Sequence, residues 1–307
     1  MKVHVPPIKT QGIKTKLARD IVRLARDVEF ERWVEPFCGS CVVALNVQPP
    51  KAVLGDSNVH IIQFYRDVQS GQISSSSVRE HLGDEGERLR RVGEDHYYLV
   101  RERFNATPNS LDFLFLNRSC FNGVMRFNRK GQFNVPYCHK SERFAQSYVT
   151  KIANQVRSMQ EVLTRLDWTF AASDFRETLG DLRPTDLVYA DPPYAGRHVD
   201  YFNSWGEADE LELVEVLQKA SSKLILSTWH SNEFRENELI KKWEAPEFHL
   251  FTRKHFYHVG STEELRHPMI EALITNFAHN NYAIAGPETE QLAFLEEPQP
   301  YSFRAIG

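Results

Sequence analysis

The 307-residue chain predicts an α/β fold: a Rossmann-like, doubly wound sheet domain interrupted by a mainly helical insert that carries a β-hairpin. Three observations lead to this class. A strand, a tight Gly-bearing turn, a helix and a second short strand follow one another within residues 33–56. Strand-like apolar runs return only after residue 166. The residues between read as helices broken by one segment dense in Asn, Arg, Gly and aromatics.

The elements follow in chain order. Leu17, Ile21, Leu24 and Ala25 recur at helical spacing, so residues 17–25 predict an amphipathic helix. Trp33 and Val34 then lead into Glu35-Pro36-Phe37-Cys38-Gly39-Ser40-Cys41, and an apolar run continues to Val47. This reads as strand, loop, helix. Residues 51–54 form a short strand that ends at Gly55-Asp56. Residues 60–68 and 97–104 predict helices, with a Ser-rich polar piece at 74–77 between them. After Phe113 to Leu116 comes NRSCFNGVMRFNRKGQFNVPY at 117–137, with Arg129-Lys130-Gly131 as a hairpin tip. A helix near 147–166 closes the insert. Strands are expected at 168–172, 186–190, 223–228 and 271–276. The boundaries this predicts are 1–56 and 161–307 for the sheet domain and 57–160 for the insert.

Composition excludes some classes. No run of 18 apolar residues exists, and the N-terminus lacks the apolar core of a signal peptide. A cytoplasmic protein, bacterial or phage-encoded, with no membrane partner is the expectation. Cys38 and Cys41 form a C-x-x-C, but no second pair at metal-ligand spacing completes a zinc site, so no metal is expected. Formal net charge is −4. Basic residues are nevertheless concentrated. Residues 1–26 hold Lys2, Lys9, Lys14, Lys16, Arg19, Arg23 and Arg26 against Asp20. Residues 113–143 hold Arg118, Arg126, Arg129, Lys130, Lys140 and Arg143 against Glu142. Phosphate binding needs such a local face and not a basic total.

The sharpest chemical element is Asp191-Pro192-Pro193-Tyr194, directly after the strand at 186–190. An exocyclic amine on an aromatic ring is a poor nucleophile, because its lone pair is delocalised. Two acceptors aimed at its hydrogens favour a pyramidal nitrogen. Asp191 can supply a carboxylate and the proline pair a preset carbonyl, since proline fixes φ and holds the preceding residue extended. Tyr194 offers a flat face for a base. Acceptors fixed where positive charge develops are the counterpart of an oxyanion hole. The turn around Gly39 lets backbone approach a ligand, and Asp56 at the next strand end suits ribose hydroxyls. The full G-x-G-x-x-G spacing is missing, which disfavours NAD. Lys14 could pair with a carboxylate.

In the order PPIKTQGIK, EPFCGSC, GDSN, FLNRSCFNGVMRFNRKGQFNVPY, SDF and DPPY, the chain resembles the Dam-type (alpha-group) family of adenine-N6 DNA methyltransferases over residues 6–277. The resemblance implies an S-adenosylmethionine-binding catalytic domain, a target-recognition insert, and double-stranded DNA as partner, with the chain a monomer or weak dimer. It implies that Asp191, Pro192, Pro193 and Tyr194 hold a flipped adenine. It assigns Lys14 to the methionine carboxylate of S-adenosylmethionine, Phe37 and Gly39 to its methionine side, and Asp56 to its ribose. Asp174 and Phe175 would surround its adenine, with Asp191 and Thr10 also at the cofactor. Lys9, Arg118, Asn122, Arg126, Asn128, Asn134, Pro136 and His139 match DNA-contacting positions. Arg suits guanine and Asn suits adenine in the major groove. Tyr201-Phe202-Asn203 matches a mobile segment near the flipped base. An RNA base methyltransferase and a DNA-binding homologue without activity are the alternatives. Three departures stand out: Cys41 replaces a family glycine, Thr10 a common aromatic, and His139-Lys140 a common Arg-Tyr. The target sequence of most relatives is therefore not assumed for this chain.

Overall fold

A computed structural model of the chain describes residues 3–194, 205–233, 235–256 and 268–278. Its strands are β1 (Arg32–Glu35), β2 (Lys51–Asp56), β3 (Asp167–Ala172), β4 (Asp186–Ala190), β5 (Lys223–Asn232), β6 (His249–Phe256) and β7 (Pro268–Thr275). They form one sheet in the order β3-β2-β1-β4-β5-β7-β6. Pairing is parallel from β3 to β5, and β7 runs antiparallel to both β5 and β6. Strand β4 is buried along its whole length, as a central parallel strand covered on both faces must be. Chain order reverses between β1 and β4, so the crevice beyond their carboxyl ends is where a ligand binds in such a sheet.

Helices α1 (Ala18–Arg26) and α2 (Val42–Val47) belong to the first sheet unit and pack on each other. Between β2 and β3 lie α3 (Val59–Gln69), α4 (Ser75–Val92), α5 (Glu94–Ala106), α6 (Ser110–Ser119) and α7 (Gln146–Arg165). Helices α3 and α7 pack on β3, and α4 to α6 stack beyond them. One continuous apolar core runs from Trp33 and Leu54 in the sheet through Phe64 and Phe115 to the hairpin's Phe133. Helices α8 (Phe175–Leu179) and α9 (Glu207–Lys219) follow β3 and precede β5. No helix among the described residues is long and apolar enough to cross a membrane.

Two expectations need correction. The Ser-rich polar piece at 74–77, expected only to separate two helices, is the cap and first turn of a third, α4, with Ser74 and Ser77 in a reciprocal capping box. The last strand has an unpredicted partner, β6, on the sheet edge. The expected hairpin exists in irregular form, held by the isolated antiparallel bridges Phe127↔Phe133 and Cys120↔Tyr137. Asn128 Oδ1 accepts the N–H groups of Lys130 and Gln132, and Gly131 takes φ +71°, which closes the tip at the expected residues.

Candidate functional site

Asp191 leaves β4 at the switch point and meets Lys14, which arrives from the segment before α1. Lys14 Nζ stands 2.9 Å from Asp191 Oδ1, and donates to Tyr194 Oη at 3.0 Å and to the Gly12 carbonyl at 3.1 Å. Glu271 on β7 lies 4.0 Å from the same ammonium. Lys14 and Glu271 are buried, whereas the Asp191 side chain keeps 20% exposure. Burial raises the Asp191 carboxyl to about 6 against the opposing pull of Lys14. Burial likewise pushes Tyr194 up to about 12, so its phenol stays neutral. The Tyr194 ring packs on Trp229 of β5.

The turn after β1 is pinned from β2. Asp56 Oδ2 accepts the Gly39 N–H at 2.9 Å and Oδ1 accepts the Asn58 N–H at 2.8 Å. Tyr65 Oη donates to the Gly39 carbonyl at 2.9 Å. Gly39 itself takes φ +45°, and a Cβ there would sit 3.8 Å from Thr10 Cγ2. Cys41, which replaces a family glycine, adopts the left-handed conformation a glycine would take, φ 55° and ψ 18°. Burial raises both the Cys38 and Cys41 thiols, which form no disulfide. Among the described residues no group of three or more His, Cys, Asp or Glu side chains is placed to hold a metal. Beneath the turn, Glu35 is fully buried, accepts Trp33 Nε1–H at 2.9 Å, and is raised to about 8 by desolvation.

Phe37, Phe175 and Trp205 form an aromatic trio at the strand ends. Phe37 stacks on Phe175 at 5.7 Å, and Trp205 meets each edge-on at 5.5 Å. Among the described residues none accepts the buried Trp205 Nε1–H. Asp174 caps α8 and pairs with Arg176, whose guanidinium covers Phe175 at 4.4 Å. The structure thus gathers Thr10, Lys14, Phe37, Gly39, Asp56, Asp174, Phe175 and Asp191 around the carboxyl ends of β1 to β4. It adds Glu35, Glu271 and Trp205, which the sequence reading missed. A lone Trp or a strand Glu carries no local signal. The one available hint was a glutamate opening the apolar run at 271–276.

The hairpin is bolted to α5. Tyr97 Oη donates to the Val135 carbonyl at 2.7 Å, and the Tyr97 ring stacks on Tyr137. Phe127 stacks on His60 and meets Phe133 edge-on. Arg126 Nε donates to Asn134 Oδ1 across the arms at 3.0 Å. Asn122, Pro136 and His139 are exposed, with φ +53° at Asn122 and +55° at His139. Lys9 reaches the same region, and burial of its stem together with Arg118 and Arg143 lowers it to about 8. Two expected base readers are employed otherwise. Arg118 turns inward, donating to the Pro7 carbonyl and to Gln155 Oε1, and burial lowers it to about 10. The Asn128 amide is committed to the hairpin tip, where its Nδ2 also donates to Gln132 Oε1. Tyr201-Phe202-Asn203 lies outside the described residues.

Comparison with known proteins bears on this geometry. Residues 11–259 match the model of the D12 class N6 adenine-specific DNA methyltransferases. The chain is 32% identical over 203 residues to the retron Ec67 DNA adenine methylase of Escherichia coli, covering 62% of this chain and 65% of the relative. It is 26% identical over 285 residues to the type II methyltransferase M.FokI of Planomicrobium okeanokoites, covering 89% of this chain but 43% of the relative. It is 29% identical over 222 residues to the DNA adenine methylase of Serratia marcescens, covering 68% of this chain and 76% of the relative. The chain therefore spans under two thirds of the retron enzyme and less than half of M.FokI.

Proposed function

Because the chain belongs to the D12 class N6 adenine-specific DNA methyltransferase family, we propose that it transfers a methyl group from S-adenosylmethionine to the N6 amine of adenine flipped out of duplex DNA. The observation that carries this reading is the Lys14–Asp191–Tyr194 cluster beyond β4, at the sheet's switch point.

The residues at the strand ends fit S-adenosylmethionine. Trp205 has a buried N–H that finds no acceptor among the described residues, and a buried donor left unpaired costs about 1–3 kcal/mol. Phe175 gives an apolar wall for the purine, and Phe37, stacked on it, one for the methionine side. Asp56 retains acceptor capacity beyond the two backbone N–H groups it already holds. Lys14 supplies a cation for the methionine carboxylate. When bound, the group supplies a methyl on a positively charged sulfur, so no metal is needed to activate the transfer. Cys41 preserves the glycine-like turn, which weakens the reading of an inactive homologue.

The chain's own contribution is electrostatic and geometric. Flipping the adenine costs a few kcal/mol of unstacking, which the site offsets with stacking and hydrogen bonds. Tyr194, neutral and packed on Trp229, offers its ring as the platform. Lys14 occupies Asp191 Oδ1, and among the described residues none bonds Oδ2, which remains to accept one amine hydrogen. The Pro192 carbonyl accepts the other. Both acceptors stabilise the positive charge that grows on nitrogen, without reorganisation at the moment of reaction. The hairpin and Lys9 provide the basic, exposed face for duplex DNA. An A-form RNA groove is too narrow for such an element, which favours DNA over RNA.

Transfer of a labelled methyl group to duplex DNA tests the reading. Asp191→Ala should lose about 100-fold to 1000-fold in turnover. Equal activity in both proteins would remove Asp191 from the mechanism, and efficient competition by double-stranded RNA would redirect the substrate assignment.

A further inference from the structure

The surface assigned above to DNA is assembled from two pieces of chain that belong to no sheet: the extended N-terminal segment and the irregular hairpin. Each has a backbone N–H and C=O that a strand neighbour would ordinarily satisfy. Side-chain amides do this instead. Lys9 N–H donates to Asn117 Oδ1 at 2.9 Å, and Asn117 Nδ2 donates back to the Lys9 carbonyl at 2.8 Å. Phe133 N–H donates to Asn105 Oδ1 at 2.8 Å, and Asn105 Nδ2 donates back to the Phe133 carbonyl at 3.1 Å. Asn46 treats His4 in the same way, at 2.9 Å in both directions. A carboxamide presents an N–H donor beside a C=O acceptor in one plane, the same pair a strand residue presents.

The hairpin shows why Phe133 needs this. Its arms exchange hydrogen bonds through Asn128 N–H to Gln132 O and Asn134 N–H to Arg126 O. That pattern turns both polar groups of Phe133 away from the opposite arm and toward α5. Asn105 meets them there. Asn117, fully buried at the end of α6, performs the equivalent service for Lys9. The Lys9 stem then crosses Gly123: a Cβ at Gly123 would meet Lys9 Cβ at 3.2 Å and Cδ at 3.4 Å. Lys9 therefore emerges beside Asn122, at the root of the hairpin, with its backbone clamped and its stem against Gly123. Arg118 and Arg143 lie close enough to repel it, a repulsion that base acceptors or phosphate would relieve.

We propose that Asn117 and Asn105 are positioning residues for base recognition: two inward-facing amides that touch no base hold Lys9 and the hairpin arm in one register and so set discrimination between DNA sites. This rests on the reading of the chain as a sequence-specific adenine methyltransferase.

The test uses the full chain. Single-molecule sequencing of plasmid DNA methylated by the wild type identifies the site. A duplex carrying it is then compared with the same duplex changed at one flanking base pair, as a ratio of kcat/KM. Asn117→Leu and Asn105→Ala should each lower that ratio about tenfold, the scale of one lost base contact, with S-adenosylmethionine affinity by calorimetry unchanged within about twofold. Lys9→Ala should lower it equally, and Asn117→Leu should add nothing in that background. Gly123→Ala leaves Asn117 in place but crowds the Lys9 stem and strains the φ +66° turn at the hairpin root, and serves if Asn117→Leu does not fold. An unchanged ratio in the folded variants, or multiplying effects of Asn117→Leu and Lys9→Ala, would overturn the positioning role alone. A wild type that methylates no duplex would instead overturn the enzymatic reading beneath it.

Discussion

Replacing Lys14 by Met probes the centre of the site, because the ammonium is what holds the Asp191 carboxyl down. The gross attraction of two unit charges at the observed 2.9 Å is about 6 kcal/mol at an effective dielectric near 20. Solvent reaches Asp191, and opposite charges at such distances ordinarily lower a carboxyl by about 1–3 units. Removing Lys14 should therefore move Asp191 from about 6 to about 7–9. Glu271, left facing Asp191 without the cation, acts in the same direction. The sign for catalysis follows. An ionised Asp191 accepts the amine hydrogen, so methyl transfer should rise with pH through about 6 in the wild type and then level off. In Lys14→Met the rise should be displaced upward. The ionised fraction at pH 7 drops from roughly nine-tenths to between one half and one hundredth, and high pH restores the rate. The assay is single-turnover transfer to duplex DNA from pH 5 to 10 at saturating S-adenosylmethionine, so that lost cofactor affinity does not mimic the effect. Lys14→Arg should keep a midpoint near the wild-type one. A Lys14→Met profile with its midpoint still near 6 and a uniformly lower plateau would refute the coupling.

Three further outcomes are expected. Cys41→Gly relieves a left-handed non-glycine backbone worth about 1 kcal/mol but removes a buried thiol of similar worth, so thermal unfolding should shift little; Cys41→Val, branched at the same angle, should destabilise by about 2 kcal/mol or more. Trp205→Phe keeps an aromatic ring and deletes the buried indole donor, so calorimetric affinity for S-adenosylmethionine should fall about 2-fold to 10-fold with the fold intact; unchanged affinity would remove the indole N–H from the site. Glu35 has a folded-state value raised to about 8, so its contribution to stability is fully present below about 4.5 and is lost as pH climbs through 8. The unfolding free energy should fall across that window, by an amount on the order of 3–5 kcal/mol, and Glu35→Gln should flatten the decline; parallel curves for the two proteins would contradict it.

Most of the sheet is legible in the sequence, because short apolar runs bounded by Gly, Pro and Asp are a local signal. Helix α4 could not. Its apolar stripe is thin, Val78, Leu82 and Leu89, and it carries Gly83 and Gly86. Gly86 has a packing reason that only the fold reveals: a Cβ there would come within 2.4 Å of Phe144 Cβ. Strand β6 was hidden because an edge strand mixes charged and apolar residues without a buried face to enforce alternation, and Leu250 stays 40% exposed. Arg118 is expected at DNA because it matches a DNA-contacting position of the family, yet its side chain is buried within the chain. Its neighbours in space, Pro7 and Gln155, lie 111 and 37 residues away along the chain.

The chain's order of motifs was enough to determine the chemistry on offer: a carboxylate in a rigid Asp-Pro-Pro-Tyr turn, a Gly-bearing loop before an acidic strand end, and a hairpin rich in donors. These are local features, set by φ restriction, turn preference and side-chain type within a few residues. Which groups meet was decided by the tertiary structure. Parallel pairing of β1 with β4 brings two distant loops to one crevice, where Lys14 finds Asp191 across 177 residues. Packing of α5 and α6 against the hairpin and the N-terminal segment turns two ordinary asparagines into strand partners for Phe133 and Lys9. The physical reason is range: backbone preference acts over one turn of chain, whereas an ion pair or an amide bracket needs the sheet order and the core that bring its halves together.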